Sequence, residues 1–459
     1  MASLLVIGLD GATLDLIGPW AAEGRLPVLA GLLARGAWGR LRSTVPAATF
    51  PAWTSLVTGV NPGRHGVLDF TERVPGTYRV RFVNGSHRRV PALWNRLSAA
   101  GRRVAVLTVP ATYPPEAVNG VMVSGFDSPL ATAIDGSFVH PRALYRDIQR
   151  LIGRVPFADF QELATGPGWH ETARARLMDG VAHVNRRLAE CGLLGFRGRR
   201  AGRLGRLARA AALRAVPARL QGPLLRRAPA TAGRLEGMHR FAGIDWPRTR
   251  AYSEELDYHP SVWLNLRGRD PEGTVEPAAY EETRERVAAA LASWRHGDGR
   301  PVIARIWRRE EVYDGPFVAR APDLLLELTT IDGYSTSCLR SDGQGPALRR
   351  LASAEHGGGK GRGMNGTHRP DGLFVLAGEG VRPAGELPAA EIVDVLPTLL
   401  ALAGLPVPRG LDGRPITGAL PAPPRFVADP VDGPGAAAVP YSAGEARDVA
   451  RRLAALGYF

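Results

Sequence analysis

Ser43-Thr-Val-Pro-Ala-Ala-Thr49-Phe-Pro-Ala-Trp-Thr-Ser-Leu-Val-Thr-Gly59-Val-Asn-Pro-Gly-Arg-His65-Gly-Val-Leu-Asp-Phe70 is the stretch from which the rest of the chain can be read. Pro51 stands where a first-turn proline belongs, Ala52 to Thr58 can continue as helix, and Gly59 stops it. Thr49 is thereby placed at a helix N-terminus, where free N–H groups and the positive end of the dipole favour an anion and an ionised hydroxyl. A threonine hydroxyl is a weak nucleophile until a base or a metal activates it.

Working outward, residues 4–9, Leu-Leu-Val-Ile-Gly-Leu, form an apolar run of the kind found in buried parallel strands. The run ends at Asp10, which would lie at the carboxyl edge of the sheet, where ligands converge in open α/β folds. A helical stretch follows to Arg35 and stops at Gly36. Further strands are expected at Val104–Val109, after a helix over Ala92–Ala100, and at Val302–Ile306, Leu324–Leu328 and Leu373–Ala377. Strands separated by helical spans give the fold class α/β, a doubly wound, mostly parallel sheet with helices on both faces. From about Gly166 to Ala242 the rhythm breaks into Ala, Arg and Leu with few strand residues. We therefore expect one domain over 1–420 with a helical Arg-rich insertion at about 160–245. A Pro- and Gly-rich tail, 421–459, ends in a short helix over about Ala443–Leu456.

The chain has 459 residues, 45% hydrophobic and 22% charged, with 55 glycines and 38 prolines, a composition that suits a globular fold with many loops. Cys191 and Cys338 are its only cysteines. They make neither a disulfide framework nor a zinc ribbon and fit a reducing compartment. The N-terminus lacks a signal peptide's basic region, and no run of 18 apolar residues occurs, so a cytoplasmic protein without a transmembrane segment is expected. The net charge is +14, and the stretch from Arg197 to Arg240 holds twelve arginines and one acid, Glu236. Such a block could meet nucleic acid or an anionic membrane surface. No aromatic residues interleave for base stacking, which favours a solvated helical face instead.

Val-Ile-Gly-Leu-Asp10-Gly, Thr49-Phe-Pro-Ala-Trp-Thr-Ser-Leu-Val-Thr-Gly59 and Asn61-Pro-Gly-Arg-His-Gly66 together resemble the opening of the type I phosphodiesterase and nucleotide pyrophosphatase branch of the alkaline phosphatase superfamily. The likeness is strongest to its predicted phosphohydrolase and phosphomutase group. It continues at Val109–Phe126, Ile244–Tyr252, Val262–Arg269, Asp394-Val-Leu-Pro and Leu411-Asp-Gly-Arg-Pro. The last two read as a helix start and a turn. Gly366-Thr-His368-Arg-Pro-Asp-Gly resembles the segment whose histidine completes a metal site. The resemblance implies an alkaline-phosphatase-like fold and two divalent ions, zinc first with manganese or iron as alternatives. It also implies Asp10, Thr49 and His368 as metal ligands, and Thr49 as the nucleophile toward a phosphorylated small molecule. Where nucleotide pyrophosphatases carry an Asn, this chain reads Val67-Leu68-Asp69-Phe70, so nucleotide specificity is not implied. His65 reads as structural.

Two metals need about six or seven protein ligands. The family supplies the remainder from an Asp-x-x-x-His pair and an adjacent Asp-His pair. No Asp-His dipeptide occurs here, and the one Asp-x-x-x-His is Asp179 with His183. At i and i+4 of a helix the two would share a face. The following Asn185-Arg-Arg-Leu resembles sequence that normally comes after the Asp-His pair, as though several tens of residues were missing before it. His356, and Asp257 with His259, are weaker candidates. Arg267 and Arg269 could hold an anionic substrate as bidentate donors, or could be held by ion pairs. The expected activity is metal-dependent phosphoester hydrolysis, with a phosphomutase as a variant. The alternative is a degenerate, non-catalytic relative that binds an anionic ligand or partner.

Overall fold

Leu324–Leu328, apolar except for Glu327, forms an inner strand of an antiparallel sheet ordered Ile303–Arg308, Leu324–Leu328, Ser261–Leu264, Ala251–Ser253. Leu324, Leu325, Leu326 and Leu328 are all buried. The helix Tyr280–Ala292 packs Val287 and Leu291 against this sheet, and Val184–Glu190 adds Val184 and Leu188, forming the largest apolar core. Glu281 and Glu282 in the first turn of the longer helix complement its dipole. The computed structural model that shows this describes residues 4–129, 136–152, 181–197, 241, 243–255, 260–331, 334–335, 337–341, 343–349, 368–428 and 439–455.

The N-terminal half holds smaller sheets. Ala37–Arg42 pairs antiparallel with Asp371–Leu376 and parallel with Gly385–Glu386 and Ala390–Glu391. Val104–Val109 runs parallel to Gly120–Ser124, with Val139–His140 antiparallel beyond. The hairpin Thr71–Arg73 with Val80–Phe82 projects toward the large sheet. Its Arg73 meets Asp270 at 2.5 Å, both side chains almost fully buried, and its guanidinium lies 4.6 Å from the ring centroid of Trp263. On the same hairpin loop Tyr78 stacks on Trp246 with centroids 3.5 Å apart, and its hydroxyl donates to Asn265 Oδ1 at 2.7 Å. The hairpin thus fastens the first half of the chain to the second.

The element positions expected at Val104–Val109 and Leu324–Leu328 agree with the structure. Those at 302–306 and 373–377 shift by one or two residues, and the helices appear at Leu93–Ala99 and Ala443–Ala455. The helical stretch before Gly36 is two helices, Leu14–Ala22 and Pro27–Arg35, because Pro27 begins the second. The sheet architecture needs correction. The fold is mixed α/β, but antiparallel ladders outnumber parallel ones, and no doubly wound parallel sheet is present among the described residues. Residues 4–9 carry no ladder there, and Leu5 and Ile7 are 82% and 73% exposed. An apolar run becomes a buried strand only with a neighbour on each side, and a run of six residues carries no information about those neighbours. Gly8 does make one close contact. A Cβ there would lie 1.9 Å from the Trp53 ring, so the indole rests on bare backbone. Val104–Val109 is likewise only partly covered, with Leu107 at 61% exposure. Most of the expected insertion at 160–245 lies outside the described residues.

Glu255 is buried where the Ala251–Ser253 strand ends and accepts backbone N–H groups from Asn185 at 2.8 Å and Ser341 at 2.6 Å. Burial pushes its carboxyl up to about 7, against those two donors. A carboxyl raised above its unfolded value of 4.5 binds more protons when folded. Its stabilising contribution is therefore complete below pH 4.5 and lost as pH rises through about 7. Thermal melts of Glu255→Gln should show a flatter pH dependence than the parent between about pH 5 and 8, the range that spans its raised pKa of about 7. An unchanged slope would remove Glu255 as its origin. Arg73→Met should lower the unfolding free energy by about 3 kcal/mol, because Asp270 stays buried after losing a partner. Urea denaturation measures this, and a change below about 1 kcal/mol would match a surface pair instead.

Candidate active site

The helix expected after Ala48 runs Thr49–Thr58. Ala48, the extended residue before it, supplies no side-chain cap, and Gly59 closes it with φ +69°, a left-handed conformation that costs glycine nothing. Thr49 is the first helical residue and its side chain is 1% exposed. The segment that follows is tied down from far along the chain. Asp412 Oδ2 accepts from Asn61 N at 2.7 Å and Asn61 Nδ2 at 2.8 Å, and Asp412 Oδ1 accepts from Arg64 at 2.6 Å. Asp394 accepts the backbone N–H groups of Glu391 and Arg414. Both motifs therefore do the structural work read for them.

His65 is fully buried. Its Nδ1 accepts from Val67 N at 3.1 Å, and its Nε2 lies 2.9 Å from Ser55 Oγ on the Thr49 helix. Burial first, and then the charge of Arg88, pull the imidazole down to about 3. His65 is a neutral brace between the helix and the loop after it.

Asp10 sits in the turn Leu9–Ala12, closed by an Ala12 N–H to Leu9 O bond of 3.4 Å with Gly11 at φ +71°. The turn feeds the helix Leu14–Ala22 through Thr13, whose hydroxyl accepts from Asp15 N. Its carboxylate Oδ1 is 3.7 Å from His368 Nδ1, and Gly11 backs onto the same imidazole. His368 Nε2 is in turn 3.4 Å from Thr49 Oγ1. Three residues that sequence reading grouped across 358 positions of chain, 10 to 368, meet at one point. Beside them is a group that reading missed. Asp15, one turn after Asp10, binds Arg40 at 3.0 Å and Arg369 at 2.9 Å, and Arg40 is the first cause that holds its carboxyl below the usual range. The Arg next to His368 was the only sequence signal for it.

The remaining candidates lie elsewhere. Asp179, His356, Asp257 and His259 fall outside the described residues, as does all of Arg197–Arg240 beyond Arg197. His183 is not on a helix face. It follows the strand Val181–Ala182 and is the residue before the helix Val184–Glu190. Its Nδ1 lies 2.8 Å from Leu339 O and its Nε2 accepts from Arg349 at 3.3 Å, so both ring nitrogens are engaged. A short strand ladder overrides the helical i, i+4 pattern there. Arg269 donates to Asp323 at 2.9 and 2.8 Å and to Asp270 at 3.2 Å, with Asp323 fully buried. Arg267 pairs with Glu276. Of their two readings, the structure gives both arginines ion pairs that hold the loop.

Asp10, Thr49 and His368 offer one carboxylate, one hydroxyl and one imidazole, a donor set that suits a single divalent ion. Among the described residues no group of three His, Cys, Asp or Glu side chains comes together. Asp10, Thr49 and His368 alone are fewer ligands than the two-ion centre that the resemblance implied, and the candidates Asp179, His356, Asp257 and His259 lie outside the described residues. No helix among them is long and apolar enough to cross a membrane.

Residues 4–189 match the sequence model of the type I phosphodiesterase / nucleotide pyrophosphatase family. That stretch, the first two fifths of the chain, is what the chain has in common with this branch of the alkaline phosphatase superfamily. No curated protein matches it. Among solved structures it is similar to human ectonucleotide pyrophosphatase / phosphodiesterase 5, at 10% identity and TM-score 0.43, over 90% of this chain and 98% of that one. The murine protein of the same name matches at 9% identity and TM-score 0.41, over 87% of this chain and 94% of that one. An inactive variant of the murine protein, in complex with AMP, matches at 10% identity and TM-score 0.41, with the same two coverages.

The neutral His65 yields a prediction. A histidine depressed to about 3 contributes stability that is complete above its unfolded value of 6.5 and is lost as pH falls toward about 3. Its ring proton shifts in NMR should stay constant from pH 8 down to about 5. A titration midpoint near 6.5 would mean that the brace is solvated.

Proposed function

We propose that the protein hydrolyses a phosphoester of a small molecule, with Thr49 as nucleophile and Asp10 and His368 as its partners. The observation that carries this reading is the meeting of Thr49 Oγ1, His368 Nε2 and Asp10 Oδ1 at 3.4 and 3.7 Å. The N-terminus of the Thr49–Thr58 helix faces the phosphoryl group and stabilises charge on its oxygens. Thr49 Oγ attacks phosphorus in line, the bond to the leaving oxygen breaks, and a phospho-threonine forms. Water then attacks the same phosphorus and frees Thr49.

Asp10, Thr49 and His368 are the residues that would hold a divalent ion, which would lower the pKa of the attacking hydroxyl and neutralise phosphoryl charge. Without it, His368 Nε2 is the atom placed to take the Thr49 proton, with Asp10 beside Nδ1 to orient the ring. Asp15, held by Arg40 and Arg369, keeps two guanidinium groups close to the His368 segment. They supply positive potential for an anionic substrate.

Hydrolysis of bis(p-nitrophenyl) phosphate, with and without added zinc or manganese, tests this reading. Thr49→Ala should abolish turnover with the circular dichroism spectrum unchanged, and His368→Ala should lower kcat by about a hundredfold or more. Full activity in Thr49→Ala would show that another group attacks.

A further inference from the structure

The far end of the chain joins, beside the strand Val80–Phe82, the apolar cluster that holds the start of the Thr49 helix. Ala48 and Phe50, the residues on either side of Thr49, belong to an apolar cluster with Val67, Phe70, Val83, Ala111 and Val449. Phe50 is 1% exposed and Val449, from the helix Ala443–Ala455, is 2% exposed. The Phe50 ring lies 4.4 Å from that of Phe70 and 5.9 Å from that of Phe126. Val449 is the one described side chain of that helix in the cluster.

The approach of the helix is fixed by polar contacts. Val439 N donates to Ser86 Oγ at 2.8 Å, and Val439 O accepts from Asn84 Nδ2 at 3.0 Å. Ser442 and Glu445 form a capping box, Ser442 N donating to Glu445 Oε2 at 2.8 Å and Glu445 N to Ser442 Oγ at 3.3 Å. Tyr441 stacks on Tyr113 with centroids 5.7 Å apart and planes 5° from parallel. The Tyr441 hydroxyl donates to Asp127 O at 2.9 Å, and the Tyr113 hydroxyl donates to Glu445 Oε1 at 2.8 Å. The Asp127 carboxylate in turn accepts N–H groups from Ala111 at 3.1 Å and Tyr113 at 3.2 Å. The loop that contributes Ala111 to the cluster is therefore locked to the same terminal segment.

We propose that the terminal segment Val439–Ala455 positions the nucleophile, with Val449 as a wedge that sets the seat of Phe50 and hence of Thr49. Phe50 is one peptide bond from Thr49, so a loosened Phe50 shifts the attacking oxygen directly. Displacement of a reacting group by about 1 Å lowers turnover by up to about a hundredfold. Val449 and Tyr441 are positioning residues. This inference rests on Thr49 being the nucleophile, and its test includes a measurement that does not.

In the full-length chain, Val449→Ala should lower kcat toward bis(p-nitrophenyl) phosphate by about tenfold while KM stays within about twofold. Amide exchange should quicken in the peptide covering 47–58 and stay unchanged across 303–328. Tyr441→Phe, which keeps the stacking and loses the bond to Asp127 O, should give a smaller change of the same kind. Val449→Ile should restore both readouts. Unchanged exchange over 47–58 in Val449→Ala would overturn the proposal, as would a rise spread evenly over both regions. A parent protein with no phosphoesterase activity would refute the reading of Thr49, and the exchange result alone would then decide whether the wedge exists.

Discussion

The buried pair of Arg73 and Asp270 is the joint on which the two halves of the molecule turn. Two charges taken out of water repel the fold unless each is met by its partner and by further donors. Here Asp270 is met also by Arg269, and Arg73 by the face of Trp263. Arg269 passes the network on to Asp323, which is held well ionised by that guanidinium despite its burial. Such a network tolerates one geometry. It therefore fixes where the hairpin of residues 71–82 stands relative to the large antiparallel sheet. The Thr49–Thr58 helix, joined to that hairpin by the loop before Thr71, inherits the placement.

Around Thr49 the physics changes from ionic to apolar. The helix has no side-chain cap, so its start is held by what packs on Ala48 and Phe50 and by the neutral His65 on Ser55. Further polar ties lie just beyond its end, where Asp412 gathers Asn61 and Arg64. The first turn thus has no side-chain cap beside the place where Thr49 meets His368. A cap residue's own side chain would compete with a phosphate for the N–H donors there.

The reading of residues 43–70 carried over almost intact, because proline, glycine and the residue before the helix dictate local geometry by sterics alone. Asp10, Thr49 and His368 were legible as a group only through the wording of several motifs together; no spacing rule joins positions so far apart. What failed did so for identifiable reasons. An apolar run such as Leu4–Leu9 states that a segment wants cover, and not which strand provides it. The i, i+4 spacing of Asp179 and His183 was read as helix, yet Val181 and Ala182 pair with Ser337 and Cys338 as strand. Nor could composition show that Arg269 is consumed by Asp323, since ion-pair partners are set by tertiary approach. The contact of Val449 with the Phe50 cluster was equally invisible, one valine in an Ala- and Arg-rich helix.

Three contacts around the site join positions more than three hundred residues apart. Asp412 to Asn61 spans 351 residues, His368 to Thr49 spans 319, and Tyr441 to Asp127 spans 314. Contacts of such separation form late, since the chain entropy of closing large loops is met before they return any stabilisation. On a ribosome adding about 5 to 20 residues each second, the Thr49 segment is made well before His368 and Asp412. His368 and Asp412 thus reach the Thr49 region only once the last quarter of the chain has been made.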